Sequence, residues 1–403
     1  MTHVLAVAAL LSTVSLVAIQ NPSRQAVQTS AKQVVNAVPA PIGPYSHAVK
    51  AGGLIYVSGT LAQDTAGVMV GEGDVGAQTR RVIERMRDLL AAAGSSLDHV
   101  VSVTVYLKAA SDFPAMNAAY RTFWPKDPPT RTTVVTDLVL PEALVELSMI
   151  AVPSGAERVV VHPQDWMASP NPYSYAIRTG DTLFLSGLVS RNGKDFAVIP
   201  GDIATQTRAV MDNAGHLLKA AGMSHANVVS ARVYLPDVSV FQQMNDAYRS
   251  YFASVPPPAR ATVKAALAGS QYAVEITMIA TSSRREPISD GRPANPNLSS
   301  AIRAGNRLYL SGMLGNTPDN RGEVKAQTGE TLARIRRTLD AAGFSPSDVV
   351  DSIVYLTDFN AFGAMNEVYR GFFQTGFPAR ATVGVGLVSP DASVEIMMTA
   401  VKP

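Results

Sequence analysis

The sequence predicts an α+β protein of three tandem domains, each a β-sheet with two helices on one face. Three observations lead there. A pattern of about 115 residues occurs three times in the 403-residue chain, and recurrence at a fixed period marks a series of equal structural units. Toward its end each copy carries a closely similar phrase: Pro128-Pro129-Thr130-Arg131-Thr132-Thr133-Val134, Pro257-Pro258-Ala259-Arg260-Ala261-Thr262-Val263 and Phe377-Pro378-Ala379-Arg380-Ala381-Thr382-Val383. Within a copy, strand and helix signals follow in the order ββαβαββ, and two helices between strands of one sheet give a layer of helices on one face.

The elements follow in order. In the first copy Ser46 to Lys50 and Leu54 to Thr60 read as strands joined by the turn Ala51-Gly52-Gly53. Asp74 can cap a helix whose apolar residues Val75, Val82, Ile83, Met86, Leu89 and Leu90 share one face. Gly94 ends it as the glycine after the cap. His99 to Leu107 is a β-branched strand, Ser111 to Trp124 a second helix, and Arg131 to Val139 and Leu144 to Val152 the last two strands.

The second copy repeats the pattern with Tyr175 to Thr179, Thr182 to Leu188, a helix from Ile203 to Ala221 and the strand Val228 to Leu235. The third has Ala301 to Ala304, Arg307 to Leu314, a helix ended by Gly343 and the strand Val349 to Leu356. The second helix repeats Met116-Asn117 with Tyr120-Arg121, Met244-Asn245 with Tyr248-Arg249, and Met365-Asn366 with Tyr369-Arg370. Pro-, Gly- and Ser-rich stretches separate the copies, giving units at 38–153, 163–281 and 292–402.

Strands such as Leu54-Ile55-Tyr56-Val57 and Val100-Val101-Ser102-Val103 are apolar almost without interruption, as in sheets buried on both faces. Helices cover one face, so the other copies are expected to cover the second. A linker of about ten residues stretches about 33 Å, and linkage makes association intramolecular. One chain is therefore expected to build a pseudo-trimer by itself.

Composition narrows the chemistry. With 47% apolar and 16% charged residues and a net charge of +2, the chain reads as globular and has no basic stripe that predicts a nucleic-acid partner. No cysteine is present, which excludes disulfides, thiolate metal sites and cysteine nucleophiles. Val4 to Ile19 resembles the apolar core of a secretory signal. Residues 1–37 are thus expected to be a signal-like segment and connector, with a periplasmic or secreted location; an N-terminally anchored or cytoplasmic protein is the alternative.

The recurrent charged residues carry the functional reading. Glu146, Glu275 and Glu395 each follow Arg131, Arg260 and Arg380 by 15 residues. A guanidinium matches both oxygens of a carboxylate, and a carboxyl group can move protons. The pair could equally be a buried ion pair that is costly to break. A simple hairpin turning near Pro141, Gly269 or Pro390 would leave the two several residues out of register, so whether they meet within a copy or across an interface stays open.

The combination of Gly43-Pro44-Tyr45, Ser58-Gly59, Asn117 with Tyr120, Thr130-Arg131 and Val145-Glu146 resembles the RidA/YjgF family of reactive-intermediate deaminases. The second copy matches with Tyr173, Ser186, Gly187, Asn245, Arg260 and Glu275, and the third with Ser311, Gly312, Asn366, Arg380 and Glu395. The resemblance implies a chorismate-mutase-like fold with clefts between subunits, here between copies. It implies cofactor-independent hydrolysis of 2-imino acids to 2-keto acids and ammonia, so the expected partner is a small imino or keto acid, with neither nucleic acid nor a stable membrane partner. Arg131, Arg260 and Arg380 would hold the substrate carboxylate. Glu146, Glu275 and Glu395 would serve water or proton transfer, and Tyr45, Tyr173 and the Ser, Gly and Asn positions would line the cleft.

Two departures bear on this. Leu298 stands where Tyr45 and Tyr173 stand in the other copies, so one cleft is expected to be altered. Thr133, Thr262 and Thr382 occupy a position where some deaminases carry cysteine. Two rival readings remain. A non-catalytic module binding small carboxylates or partner proteins would look nearly the same. An endoribonuclease fits less well, because the six histidines (3, 47, 99, 162, 216 and 225) share no repeat position.

Overall fold

The computed structural model describes residues 31–37, 39–373 and 376–403. The signal-like stretch from Val4 to Ile19 lies outside them. In the first copy the elements are β1 (Gln33–Val35), β2 (Ala48–Ala51), β3 (Leu54–Thr60), α1 (Val75–Ala92), β4 (Val100–Leu107), α2 (Phe113–Arg121), β5 (Thr130–Val135) and β6 (Val145–Ala151). The sheet runs β1-β2-β3-β6-β4-β5, antiparallel throughout except for the parallel pair β4–β5. The other copies repeat this plan, with helices Ile203–Ala220 and Phe241–Arg249, then Val324–Ala341 and Phe362–Phe372.

Local signals explain most boundaries. The Asp74 carboxylate accepts from the Ala77 backbone N–H at 2.9 Å and starts α1. The buried face of α1 includes Val75, Val82, Ile83, Met86, Leu89 and Leu90. Gly94, at φ 77°, takes the left-handed conformation that ends the helix. The second helix is shorter than predicted: a 3₁₀ turn at Ala110–Asp112 precedes it, and Pro114 lies in its first turn. Proline lacks an N–H to donate and is accommodated there.

Two features depart from the sequence reading. The stretches read as connectors each hold an edge strand: β1, Val159–Val161 and Arg285–Ile288 pair with the first strand of the copy that follows. They satisfy a backbone edge that would otherwise be open, and at three or four residues they are too short to show as periodic patterns. The last two strands of a copy also do not form a hairpin. β4 lies between β5 and β6.

Each copy has its own core between helices and sheet. Further clusters join the copies. The largest draws Tyr106 and Val134 from copy one, Tyr234 and Val263 from copy two, and Tyr355 and Val383 from copy three. Full burial of a large apolar side chain contributes about 1.5–3 kcal/mol, so this shared face is a main reason the three sheets close on one another. Main-chain pairing stitches the same seams: Leu267 of copy two pairs with Val134, Leu387 of copy three with Val263, and Asp137 bridges to Gly384. The result is an intrachain pseudo-trimer.

Covalent linkage permits asymmetry on the central axis. Ser102, Ser230 and Asp351 are equivalent positions, as are Thr104, Arg232 and Ile353, and all six line an internal cavity of about 70 Å³. Arg232 Nη1 donates to Thr104 Oγ1 at 3.3 Å. Burial raises the Asp351 carboxyl to about 6, with Arg232 opposing the rise. Three identical chains could not place one arginine and one aspartate there.

Candidate active site

The sheet order keeps Arg131 and Glu146 apart. Arg131 is in register with Val103 and Val103 with Met149, three residues beyond Glu146, and a whole strand intervenes. That offset amounts to about 10 Å along the strand and about 10 Å across the sheet. Each arginine instead faces the glutamate of the next copy. Arg131 acts on Glu275, Arg260 on Glu395 and Arg380 on Glu146. The ring therefore creates three clefts, each assembled from two copies.

Strand ends fix the geometry of each seam. The backbone N–H of Arg131 donates to Ser186 Oγ at 2.9 Å, that of Arg260 to Ser311 Oγ at 2.7 Å, and that of Arg380 to Ser58 Oγ at 2.8 Å. Each serine hydroxyl in turn donates to a carbonyl of its own copy, Ser174, Ser299 or Ser46. The serines thus clamp the arginine strands. The adjacent glycines make room for the acid: a Cβ at Gly59, Gly187 or Gly312 would overlap Oε1 of Glu146, Glu275 or Glu395.

Every arginine is buried, at 2–4% exposure, and rests on aromatic rings. Arg131 lies 5.0 Å from the Tyr120 ring, 5.6 Å from Phe113 and 5.8 Å from Tyr173. Arg380 has Tyr369, Tyr45 and Phe362 at 4.9, 5.4 and 5.8 Å. Among the described residues, Arg260 has Tyr248 and Phe241 alone, at 4.8 and 5.9 Å. Leu298 supplies no third ring there. Such cation–π contacts favour a desolvated guanidinium.

The asparagines divide. Asn245 Oδ1 accepts from Arg260 Nη2 at 2.7 Å and Asn366 Oδ1 from Arg380 Nη1 at 2.8 Å. Asn117 donates to Asn171 Oδ1 at 3.3 Å. Hydrogen-bond capacity is left over in all three clefts: Arg131 Nη1, Arg260 Nε and Nη1, and Arg380 Nε have no partner among the described residues. Nor does any of the three form an ion pair there. Unsatisfied buried donors are rare in folded proteins and call for a water, an ion, a ligand or a catalytic role to account for them.

Burial raises Glu146, Glu275 and Glu395 to about 8, opposed by the facing arginine in every case and at Glu275 first by the Thr133 backbone N–H, 3.3 Å away. A carboxyl in that range can give or take a proton near neutrality. Two of the clefts open into cavities. Between copies one and two a space of about 290 Å³ is bounded by Phe113, Arg131, Thr133, Tyr173, Tyr272 and Glu275, among others. Between copies three and one, about 40 Å³ remains beside Tyr45, Glu146, Arg380 and Thr382. Pro39, Ala40 and Ile42 line that smaller space.

Sequence reading missed Phe113, Phe241 and Phe362 beneath the arginines. Their signal was present: each lies four residues before the recurrent asparagine, one helical turn away. Arg191 and Tyr272 had no such signal, because neither recurs in the other copies.

A protein whose clefts pair an aromatic-backed arginine with a neighbouring unit's proton-poised carboxyl belongs to a recognisable class. The family model described as Endoribonuclease L-PSP matches residues 35–153, 164–282 and 290–402. The chain belongs to this family, the RidA/YjgF proteins, three times over. It is 40% identical over 113 residues to the 3-aminoacrylate deaminase RutC of Acinetobacter baylyi, covering 28% of this chain and 90% of that one. A RutC family protein of Pyrococcus abyssi is 41% identical over 123 residues, or 30% of this chain and 97% of the relative. Over a longer span, a chorismatase structure shares the fold at 16% identity, with a TM-score of 0.51 over 75% of this chain and 93% of the other.

Proposed function

We propose that the chain hydrolyses reactive 2-imino acids to 2-keto acids and ammonia in clefts between its copies. The observation that carries this reading is the cavity between copies one and two, where buried Arg131 with an unpartnered Nη1 and Glu275 of the neighbouring copy line one space. The likeness to a 3-aminoacrylate deaminase supports the same class of chemistry.

The residues suffice for the reaction. Arg131 holds the substrate carboxylate and so fixes the C=N carbon. The Glu275 carboxyl protonates the imine nitrogen, and the resulting carboxylate takes a proton from water as its oxygen bonds to that carbon. This gives a carbinolamine and restores the carboxyl. Transfer of the hydroxyl proton to nitrogen then lets the C–N bond break, releasing ammonia and the keto acid. Tyr120 and Phe113 back the guanidinium and exclude water from its far side, which strengthens its hold on an anion.

The test is generation of iminopropionate by an amino-acid oxidase, with semicarbazide trapping the remaining imine. The protein is expected to accelerate imine loss, and replacement of Arg131, Arg260 and Arg380 together by Ala is expected to abolish the effect. Binding of pyruvate without any change in imine decay would instead establish a carboxylate-binding module.

A further inference from the structure

We propose that the cleft between copies one and two takes 2-imino acids whose side chain ends in a second carboxylate, with Arg191 holding that distal group. The inference rests on the deaminase reading above and names a substrate class for one of its three clefts.

Arg191 has no counterpart. The equivalent positions are Gln63 and Asn316, whose amides donate to Gly67 O and Ser389 Oγ within their own copies. Arg191 lines the same cavity as Arg131 and Glu275, and both guanidiniums oppose the burial-driven rise of the Tyr173 hydroxyl between them. Nη1 of Arg191 donates to Phe196 O at 2.8 Å. Its guanidinium carbon lies 4.2 Å from the Phe196 ring and 5.0 Å from that of Tyr272. It forms no ion pair with any described residue. A cation held on two rings at a cavity wall, without an anion, is the arrangement that recognises one.

The surrounding backbone is built to hold it. Phe196 sits at φ 62°, a left-handed conformation rare for a bulky side chain, and such strain persists only where neighbours enforce it. Here a small hairpin does so. Arg191 bridges to Val198, Asn192 N–H donates to Ala197 O at 2.8 Å, and Phe196 N–H to Asn192 O at 2.9 Å. Gly193 lies against Trp166 so closely that a Cβ would overlap the indole. The strained residue supplies both the carbonyl and the ring that orient Arg191.

Charge and volume agree with a dianion. Two guanidiniums face a space whose single carboxyl, Glu275, is held largely protonated near neutrality by burial. A substrate with one carboxylate would leave one cation unmatched. The space of about 290 Å³ is near the lower end of small-molecule sites, about 300 Å³. The other clefts differ. Arg85 lines the cleft between copies three and one and, like Arg191, donates through Nη1 to a backbone carbonyl, Leu61 O at 2.6 Å; the space beside it is what differs. The 40 Å³ there suits a few waters, at about 10–15 Å³ each. In copy three, Arg334, equivalent to Arg85, is tied to Glu330 at 2.8 Å.

The experiment compares iminoglutarate, iminosuccinate and iminopropionate, each generated by an oxidase, on the full chain and on Arg191→Gln and Arg191→Lys variants. Calorimetric binding of 2-oxoglutarate and pyruvate is measured in parallel. The ratio of kcat/KM for iminoglutarate over iminopropionate is expected to fall at least tenfold in Arg191→Gln and to recover partly in Arg191→Lys. A merely structural role would lower both substrates alike and leave the ratio unchanged, which would overturn the proposal. If no imine is hydrolysed, the deaminase reading fails by itself; 2-oxoglutarate affinity that still depends on Arg191 would then uphold the dianion site. Equal binding of pyruvate and 2-oxoglutarate, unaffected by the substitution, would refute it.

Discussion

Arg380 and Ser58 stand 322 residues apart in the chain and share a hydrogen bond of 2.8 Å, from the arginine backbone N–H to the serine Oγ. This bond belongs to the one seam of the ring that no linker spans. It brings the last arginine into the cleft that holds Glu146 of the first copy. Ring closure and site assembly are therefore one event.

Replacing Ser58 by Ala removes the acceptor and leaves a buried N–H unsatisfied, at about 1–3 kcal/mol. The expected outcome is a lower urea midpoint and faster proteolysis at the seam between copies three and one. Ser186→Ala and Ser311→Ala remove equivalent bonds at linked seams, and are expected to open those seams less. Equal proteolysis of all three variants would show that the linkers contribute nothing to seam integrity.

Gly187→Ala puts a methyl group where Glu275 Oε1 lies. The carboxyl must swing away from the cavity shared with Arg131. Imine hydrolysis in a protein carrying Arg260→Ala and Arg380→Ala, where only that cleft works, is expected to fall at least tenfold. Circular dichroism would confirm that the fold persists.

The three glutamates set a pH dependence whose sign is definite. Their folded-state pKa of about 8 lies above the ordinary 4.5. The folded chain thus binds more protons than the unfolded chain between those values, and stability falls as pH rises through that window. Urea midpoints are expected to decline from about pH 5 to pH 8, and the decline is expected to flatten when Glu146, Glu275 and Glu395 all become Gln. An unchanged slope in that variant would assign the dependence to other groups.

Leu298 leaves Arg260 with two rings, where Arg131 and Arg380 each have three. In a background of Arg131→Ala and Arg380→Ala, Leu298→Tyr is expected to raise imine hydrolysis several-fold. The same substitution with Arg260 also replaced by Ala is expected to have no effect. Steady-state rates on iminopropionate decide the matter.

Much of this architecture was legible in the residues alone. Recurrence of Arg131, Arg260 and Arg380 in closely similar phrases revealed three equal units. Apolar spacing on α1 and the stop at Gly94 set its helix, because those signals act within a few residues of chain. Apolar strands without alternation foretold that a second sheet face needed cover. Arginine and glutamate were legible as candidates, since a charged residue inside an apolar strand demands a reason.

Tertiary structure alone decided who meets whom. Insertion of β4 between β5 and β6 separates Arg131 from Glu146, and no local pattern records which strand lies between two others. Placement of Arg131 opposite Glu275 follows from closure of three sheets around a shared apolar face, an arrangement set by the summed burial of residues far apart in the chain. Arg191 became visible only there. It is a single unrepeated arginine, and what distinguishes it is the strained Phe196, the cavity and the second guanidinium that folding places beside it.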